Sequence, residues 1–347
     1  MTLQIYTFFP NTRVFLCSGG ILFFHTRRYL CVTMDKNTLL EVRNLNVAFD
    51  GRTVVRDVNY TLHRGRTLGI VGESGSGKSV SSLALMGLLP KHAEVTGSAL
   101  LEGEELLTLG EEGFRDIRGN RIAMIFQEPM TSLNPVRKCG EQVTEMLLMH
   151  EKVSRREARE RALALFREVM LPRPEKIFDS YPHEISGGQK QRVMIAMALM
   201  CNPDVLIADE PTTALDVTVQ AAILRLMRQI QERHNIGIIF ITHDLGVIAQ
   251  VADDIAVMYR GDIVETGPAR QVLYQPQHPY TQGLLACRPP LDSRPRHLPT
   301  VEEYMNGSVA DPSNNCASQL LTFNSQLSHQ PTPLILEQDL RVTYTIK

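Results

Sequence analysis

The sequence predicts an α/β fold that combines buried parallel strands with half-buried antiparallel ones. Residues 68–71, 205–208 and 236–241 are continuous apolar runs, the pattern of parallel strands covered on both faces. Leu40, Val42, Leu45, Val47 and Phe49 instead alternate with polar residues, with one slip near Asn44, and Val58, Tyr60 and Leu62 alternate again after a turn at Asp50-Gly51. These read as antiparallel strands with one face toward a core. At 347 residues, 43% of them hydrophobic, the chain can fill one large domain or two medium ones.

Taken in order, the beginning of the chain stands apart. Residues 14–24 are an apolar run containing Cys17, Ser18 and two glycines, followed by Arg27 and Arg28. A bilayer span needs about 20 apolar residues, and a secretory signal places its basic residues before the apolar run, so neither template fits. Residues 1–33 are expected to lie outside the fold, with Met34 an alternative start of translation and a membrane-touching extension the other reading. No other segment is long and apolar enough to span a bilayer.

The run at 68–71 leads into Gly72-Glu73-Ser74-Gly75-Ser76-Gly77-Lys78-Ser79 and then a helix-like segment. A glycine-rich loop between a buried strand and a helix is a phosphate cradle: backbone N–H groups converge on the anion, and the helix N-terminus adds positive partial charge. Lys78 then reaches the β- and γ-phosphates and the Ser79 hydroxyl is placed to ligate Mg²⁺. A nucleoside triphosphate is the expected ligand. Farther on, Ile125-Phe126 ends a strand at Gln127, and residues 140–169 carry one long helical pattern rich in Arg and Glu, whose charges i,i+4 pairing and solvation explain.

Val205-Leu206-Ile207-Ala208-Asp209-Glu210 is an apolar strand ending in two carboxylates, expected beside the phosphate-binding strand if the sheet is doubly wound. Asp209 would hold Mg²⁺ through water, and Glu210 would orient or deprotonate an attacking water. Ile185-Ser186-Gly187-Gly188-Gln189 precedes a buried helix over 190–200. A serine hydroxyl and two glycine amides at that helix start form a second anion site, and two such sites in one chain suggest a nucleotide shared across a dimer. Residues 255–259 and 263–266 flank Arg260-Gly261-Asp262 as a hairpin. His243 follows Ile241-Thr242 at a strand's carboxyl end, where α/β sheets bind ligands.

Charge is nearly balanced, 36 Lys plus Arg against 38 Asp plus Glu, which gives no reason to expect nucleic acid. The six cysteines, Cys17, Cys31, Cys139, Cys201, Cys287 and Cys316, form no CxxC pair and no zinc spacing, so they read as isolated thiols in a reducing compartment.

In this order the motifs resemble the nucleotide-binding subunit of an ATP-binding cassette (ABC) transporter, over roughly residues 39–283. The resemblance implies a P-loop NTPase core of the ABC type, with an antiparallel β subdomain and an inserted helical subdomain at about 129–189, the whole cassette occupying 34–285. It implies ATP and Mg²⁺ as cofactors, Phe49 stacking on adenine, Gln127 as the glutamine loop that touches the metal and takes part in catalysis with Lys78, Glu210 and His243, and Ala214-Leu215-Asp216 as the D-loop. Ser186, Gly187, Gly188 and Gln189 would close over the γ-phosphate held by a second cassette; Ile185 stands where leucine is commonest in this family. Mg²⁺ would be held by Ser79, Gln127 and Asp209.

Gln127-Glu128-Pro129-Met130-Thr131-Ser132-Leu133-Asn134-Pro135 and His278-Pro279-Tyr280-Thr281 resemble the oligopeptide, dipeptide and nickel importer ATPases. That resemblance implies integral membrane permease subunits as partners, contacted through Gln127 and 128–135, a second cassette in a homo- or heterodimer, and indirectly an external solute-binding protein. It places the chain peripherally on the cytoplasmic face of the cell membrane. The solute stays open between dipeptide, longer peptide, glutathione and metal chelate. With only Cys287 and Cys316 near the C-terminal end, no iron–sulfur cluster is expected. The alternative reading is a soluble ABC ATPase acting on nucleic acid or ribosomes, which the compact helical insert does not favour; a silent regulatory cassette is disfavoured by intact Lys78, Asp209, Glu210 and His243. Residues 286–333 read as a polar linker. Leu334, Leu340, Val342 and Tyr344 repeat the spacing of Leu39, Leu45, Val47 and Phe49, so 334–347 reads as the first strand of a truncated second cassette, with an ordinary edge strand as the alternative.

Overall fold

The structure is a computed structural model that describes residues 37–127, 132–213, 215–287 and 300–306, and for 4–9, 12–17 and 20–22 the strand assignment alone. Strands β1 (Gln4–Phe9), β2 (Thr12–Cys17) and β3 (Gly20–Leu22) pair with one another in a separate three-stranded sheet. The expectations for Met34, for the 128–131 part of the permease-facing loop, for Ala214, for Cys316 and for the strand at 334–347 lie outside the described residues.

The alternating segments form an antiparallel sheet of β4 (Thr38–Phe49), β5 (Arg52–His63), β7 (Ala93–Leu101) and β8 (Glu104–Glu105), in the order β5-β4-β7-β8. Asp50 and Gly51 both take positive φ, 48° and 76°, which matches the turn to the right-handed twist of the strands it joins. The slip at Asn44 is a bulge. Its φ is 49°, and the pairing register of β4 jumps there against both neighbours. Gly97 lies across from it at φ 117°, where an added Cβ would sit 2.5 Å from the Asn44 carbonyl oxygen, so the extra residue is absorbed opposite a position that only glycine fills comfortably.

The larger sheet has the order β13-β12-β6-β11-β10-β9, built from β6 (Thr67–Val71), β9 (Ile122–Ile125), β10 (Val205–Asp209), β11 (Gly237–Thr242), β12 (Asp254–Tyr259) and β13 (Asp262–Pro268). Every residue of β6, β10 and β11 is buried. Successive side chains serve two cores: Val205, Ile207, Ile239 and Ile241 join the cluster under the antiparallel sheet, whereas Leu206, Ala208, Ile238 and Phe240 join the cluster under the helices. That is why no polar residue interrupts these runs. One expectation is corrected. β10 is not beside the phosphate-binding strand β6; β11 lies between them, paired in parallel with both. Asp209 is level with Ile241, and Ile241 with Ile70, so the three strands still end along one edge.

The helices are α1 (Lys78–Leu85), α2 (Glu111–Ile117), α3 (Cys139–His150), α4 (Arg155–Glu168), α5 (Pro174–Asp179), α6 (Gly187–Leu199), α7 (Val217–His234), α8 (Leu245–Val251), α9 (Ala269–Tyr274), α10 (Pro279–Ala286) and α11 (Val301–Met305). The single pattern expected over 140–169 is two helices. Ser154 accepts a hydrogen bond from the Glu157 N–H and so starts α4 afresh, because an N-cap serine competes with helix continuation. The charged face carries exposed i,i+4 pairs, Arg156–Glu160 and Arg161–Glu157, each worth about 0.2–0.5 kcal/mol. The span read as a polar linker includes α11, capped by Thr300 and lying against α10, where a Cβ on Gly283 would be 3.2 Å from both Val301 Cα and Tyr304 Cβ. Among the described residues no helix is long and apolar enough to cross a membrane.

Candidate active site

β6 delivers the chain into the glycine-rich loop and α1 takes it out, with Gly77 as N-cap at φ 102°. A side chain at Gly72 would strike the Met258 carbonyl of β12, so the loop lies against the neighbouring strand. Two further bonds frame it: the Ser76 carbonyl accepts from the Gly261 N–H at 3.0 Å, and the Glu73 N–H donates to the Tyr280 hydroxyl at 3.0 Å. Glu73, Ser74 and Gly75 are exposed, while Ser76, Gly77 and Lys78 are buried. Lys78 Nζ lies inside the loop and donates to the Gly72 and Glu73 carbonyls, each at 2.8 Å, and to Ser76 Oγ at 3.3 Å. Burial pushes its pKa down, opposed by the charges of Glu210, Asp209 and Glu73. Beside the loop opens a cavity of about 660 Å³ whose walls include Glu73, Gly75, Arg260 and Met305.

Asp209, the last residue of β10, is buried. Burial pushes its carboxyl up; a hydrogen bond with Ser79 and the charge of Lys78 oppose this and Glu210 adds to it, leaving it above the ordinary value. Its Oδ1 is buried with no hydrogen-bond partner among the described residues. An unmatched buried oxygen beside a serine hydroxyl is a donor set suited to a hard divalent cation, and the ammonium and amides of the loop suit a polyphosphate.

Glu210 follows at φ 47°, a left-handed conformation that costs a non-glycine residue roughly 1–3 kcal/mol and clusters at functional sites. Its N–H is held by the Ile241 carbonyl at 2.9 Å. Three side chains converge on its carboxylate: Gln127 Nε2 at 3.1 Å and Thr213 Oγ1 at 2.9 Å donate to Oε2, and His243 Nδ1 stands 3.0 Å from Oε1. Burial raises this carboxyl, but the hydrogen bonds from His243 and Thr213 and the charges of His243 and Lys78 outweigh it and hold the group below the usual range. The result is an ionised, oriented carboxylate at the same sheet edge as the glycine-rich loop. Thr213 was not singled out from the sequence; its signal is the turn that begins at Glu210, with Pro211 in second place and the Thr213 N–H returning to the Glu210 carbonyl at 3.2 Å.

Other expected site residues stand apart from this cluster. Phe49 ends β4, half-buried, with its ring edge-on to His92 at 5.9 Å between centroids. Ser186 caps α6 and forms a capping box with Gln189; Gly187 has open space where a side chain would be, and a Cβ on Gly188 would lie 3.1 Å from Val219 of α7. Asp216 caps α7, accepting from the N–H groups of Thr218 and Val219 at 3.1 and 2.9 Å. Among the described residues no hydrogen bond or ion pair joins Phe49, the 186–189 segment or Asp216 to the phosphate loop.

Sequence comparison matches residues 55–213 to the family described as "ABC transporter" and residues 264–317 to the family described as "Oligopeptide/dipeptide transporter, C-terminal region". The chain is 55% identical over 261 residues to the oligopeptide transport ATP-binding protein OppD of Bacillus subtilis, covering 74% of this chain and 73% of that protein. It is 51% identical over 270 residues to the dipeptide transport ATP-binding protein DppD of the same organism, covering 76% and 81%. Among solved structures, the dimeric post-hydrolysis state of the ATP-binding cassette MJ0796 bound to ADP and Pi superposes with a TM-score of 0.59 at 27% identity, covering 67% of this chain and 99% of that one. The cbiO1 cassette of Clostridium perfringens gives 0.60 at 28%, covering 69% and 92%.

Proposed function

Because the chain belongs to the ABC transporter family, as one of its ATP-hydrolysing cassettes, we propose that it powers a membrane importer for oligopeptides or dipeptides, working as one of two paired cassettes against permease subunits on the cytoplasmic face. The observation that carries the catalytic part is the Glu210 carboxylate, held by Gln127, Thr213 and His243 at the edge where the phosphate loop opens. The peptide part is supported by the named relatives and by the match over the C-terminal region.

Hydrolysis at the γ-phosphate rests on positioning and charge stabilisation more than on covalent chemistry. Lys78 leaves its loop carbonyls for the phosphate oxygens, and the first-turn amides of α1 take the negative charge. Glu210, kept ionised, orients the attacking water and accepts its proton; His243 fixes the carboxylate and faces the γ-phosphate. Ser79, Asp209 and Gln127 would hold Mg²⁺, which when bound neutralises charge on the β- and γ-phosphates. Phe49 stacks on adenine. Ser186, Gly187, Gly188 and Gln189 present the α6 N-terminus to the nucleotide of the partner cassette, with Asp216 capping α7, whose Val219 lies near Gly188. A nucleic-acid or ribosome role has no observation in its favour.

Purification of the tagged full chain from detergent-solubilised membranes tests the proposal. Integral membrane subunits should co-purify, and Mg²⁺-dependent ATP hydrolysis should rise when peptide and its external binding protein are supplied. Recovery without membrane proteins, or turnover indifferent to peptide, overturns the importer reading.

A further inference from the structure

We propose that Tyr280 is a positioning residue for ATP binding: its hydroxyl holds the phosphate loop in its receptive shape through the Glu73 backbone. The bond spans 207 residues of sequence, from the Glu73 N–H to Tyr280 Oη at 3.0 Å. Tyr280 is wholly buried, and its ring lies 4.2 Å, centroid to centroid, from Tyr259 of β12. Burial pushes the phenol up to about 12, so the group that accepts from the Glu73 N–H is a neutral hydroxyl and the bond an uncharged one.

The hydroxyl is itself placed by a chain of bonds from the sheet. Glu265 on β13 accepts from the N–H groups of Gln277 and His278 at 2.8 and 3.1 Å. His278 then caps α10 by accepting from the Tyr280 N–H at 3.1 Å. The first turn of α10 is thereby fixed to the hairpin, and the hairpin's Gly261 N–H holds the Ser76 carbonyl on the other side of the loop. Between these two anchors lie Ser74 and Gly75, both exposed. A loop held at Glu73 and at Ser76 has little freedom left for its tip. His278, Pro279 and Tyr280 of the motif thus acquire a task at the nucleotide: proline starts the helix, histidine caps it, and tyrosine reaches the loop.

The consequence is thermodynamic. Without the hydroxyl the Glu73 amide loses its acceptor, the receptive loop becomes a fraction of the population, and apparent affinity falls by that fraction; bound phosphates then restore the shape, leaving the chemical step alone. This rests on the ATPase reading of the site. In the full chain, Tyr280→Phe keeps the ring packing and should raise the Kd and KM for ATP about three- to tenfold, the worth of one neutral hydrogen bond, with kcat within twofold. Thr281→Val removes the neighbouring buried hydroxyl, which has no hydrogen-bond partner among the described residues, and should change neither constant. In the wild-type chain without nucleotide, NMR should show the Glu73 amide protected from hydrogen exchange, and Tyr280→Phe should abolish that protection. An unprotected Glu73 amide, an unchanged KM in Tyr280→Phe, or an equal rise in Thr281→Val overturns the proposal. A wild-type chain without ATPase activity would instead overturn the reading on which it rests.

Discussion

Replacing Glu210 by glutamine removes the proposed base and spares almost everything around it. The side chains are isosteric, and the Glu210 N–H stays on the Ile241 carbonyl. Two donors, Gln127 and Thr213, meet Oε2, so the amide oxygen of the variant can occupy that place, and its NH₂ can donate to His243 Nδ1, 3.0 Å from the present Oε1, once the neutral imidazole carries its proton on Nε2 instead. The network therefore survives, and the loss is confined to the proton acceptor and its charge. A positioned general base is worth about 10²- to 10⁴-fold, or about 2.7–5.4 kcal/mol of barrier at 1.36 kcal/mol per decade. ATP binding should not weaken, since a negative charge beside Lys78 has been removed. Turnover is read by phosphate release, affinity by equilibrium titration, and the trapped ATP-bound pair of cassettes as a doubling of mass in solution. Turnover within threefold of the wild type refutes the assignment of Glu210.

Phe49→Ala should weaken ATP binding on the order of five- to a hundredfold, the worth of about 1–3 kcal/mol of base stacking, with little change in maximal rate; an unchanged dissociation constant returns Phe49 to the core it partly packs against. Asp209, held above the ordinary carboxylate value by burial, takes up its proton earlier than a free carboxylate as pH falls, whereas Glu210, held below, stays ionised. A metal ligand must be deprotonated, so the Mg²⁺ concentration for half-maximal activity should rise as the solution is acidified, and excess Mg²⁺ should restore the rate; a requirement that does not move with pH removes Asp209 from the metal site.

Much of this was legible in the chain because local rules apply. The glycines of 72–77 mark a loop that must run close to a neighbouring strand, the Asp50-Gly51 turn shows itself by residue type, and even the bulge at Asn44 announced itself as a slip in the alternation. Strand termini carrying Gln127, Asp209 and His243 were visible as the points where apolar runs stop. The break between α3 and α4 was passed over: the run of Arg and Glu on both sides reads as one solvated helix, although Ala158 comes five residues after Val153 and Ser154 stands three before Glu157, and the cap bond to Glu157 shows the helix restarting. The short helix α11 was hidden for another reason: five residues are too few to establish a period, and it is placed by packing at Gly283.

The sequence by itself determined where a glycine-rich loop, two carboxylates and a histidine would stand along the chain, since each follows directly on an apolar run. Only the tertiary structure decided who meets whom. The runs that became β6, β10 and β11 are alike in composition and burial, so nothing local says that β11 separates the other two, and it is that order, with the strands ending level, that sets His243 against Glu210. Thr213 and Gln127 reach the same carboxylate from a turn and from a neighbouring strand, and Tyr280 reaches Glu73 from the far end of the cassette. Periodicity along a chain records which face is buried; the partner across a buried face is chosen by packing, which a linear pattern does not carry.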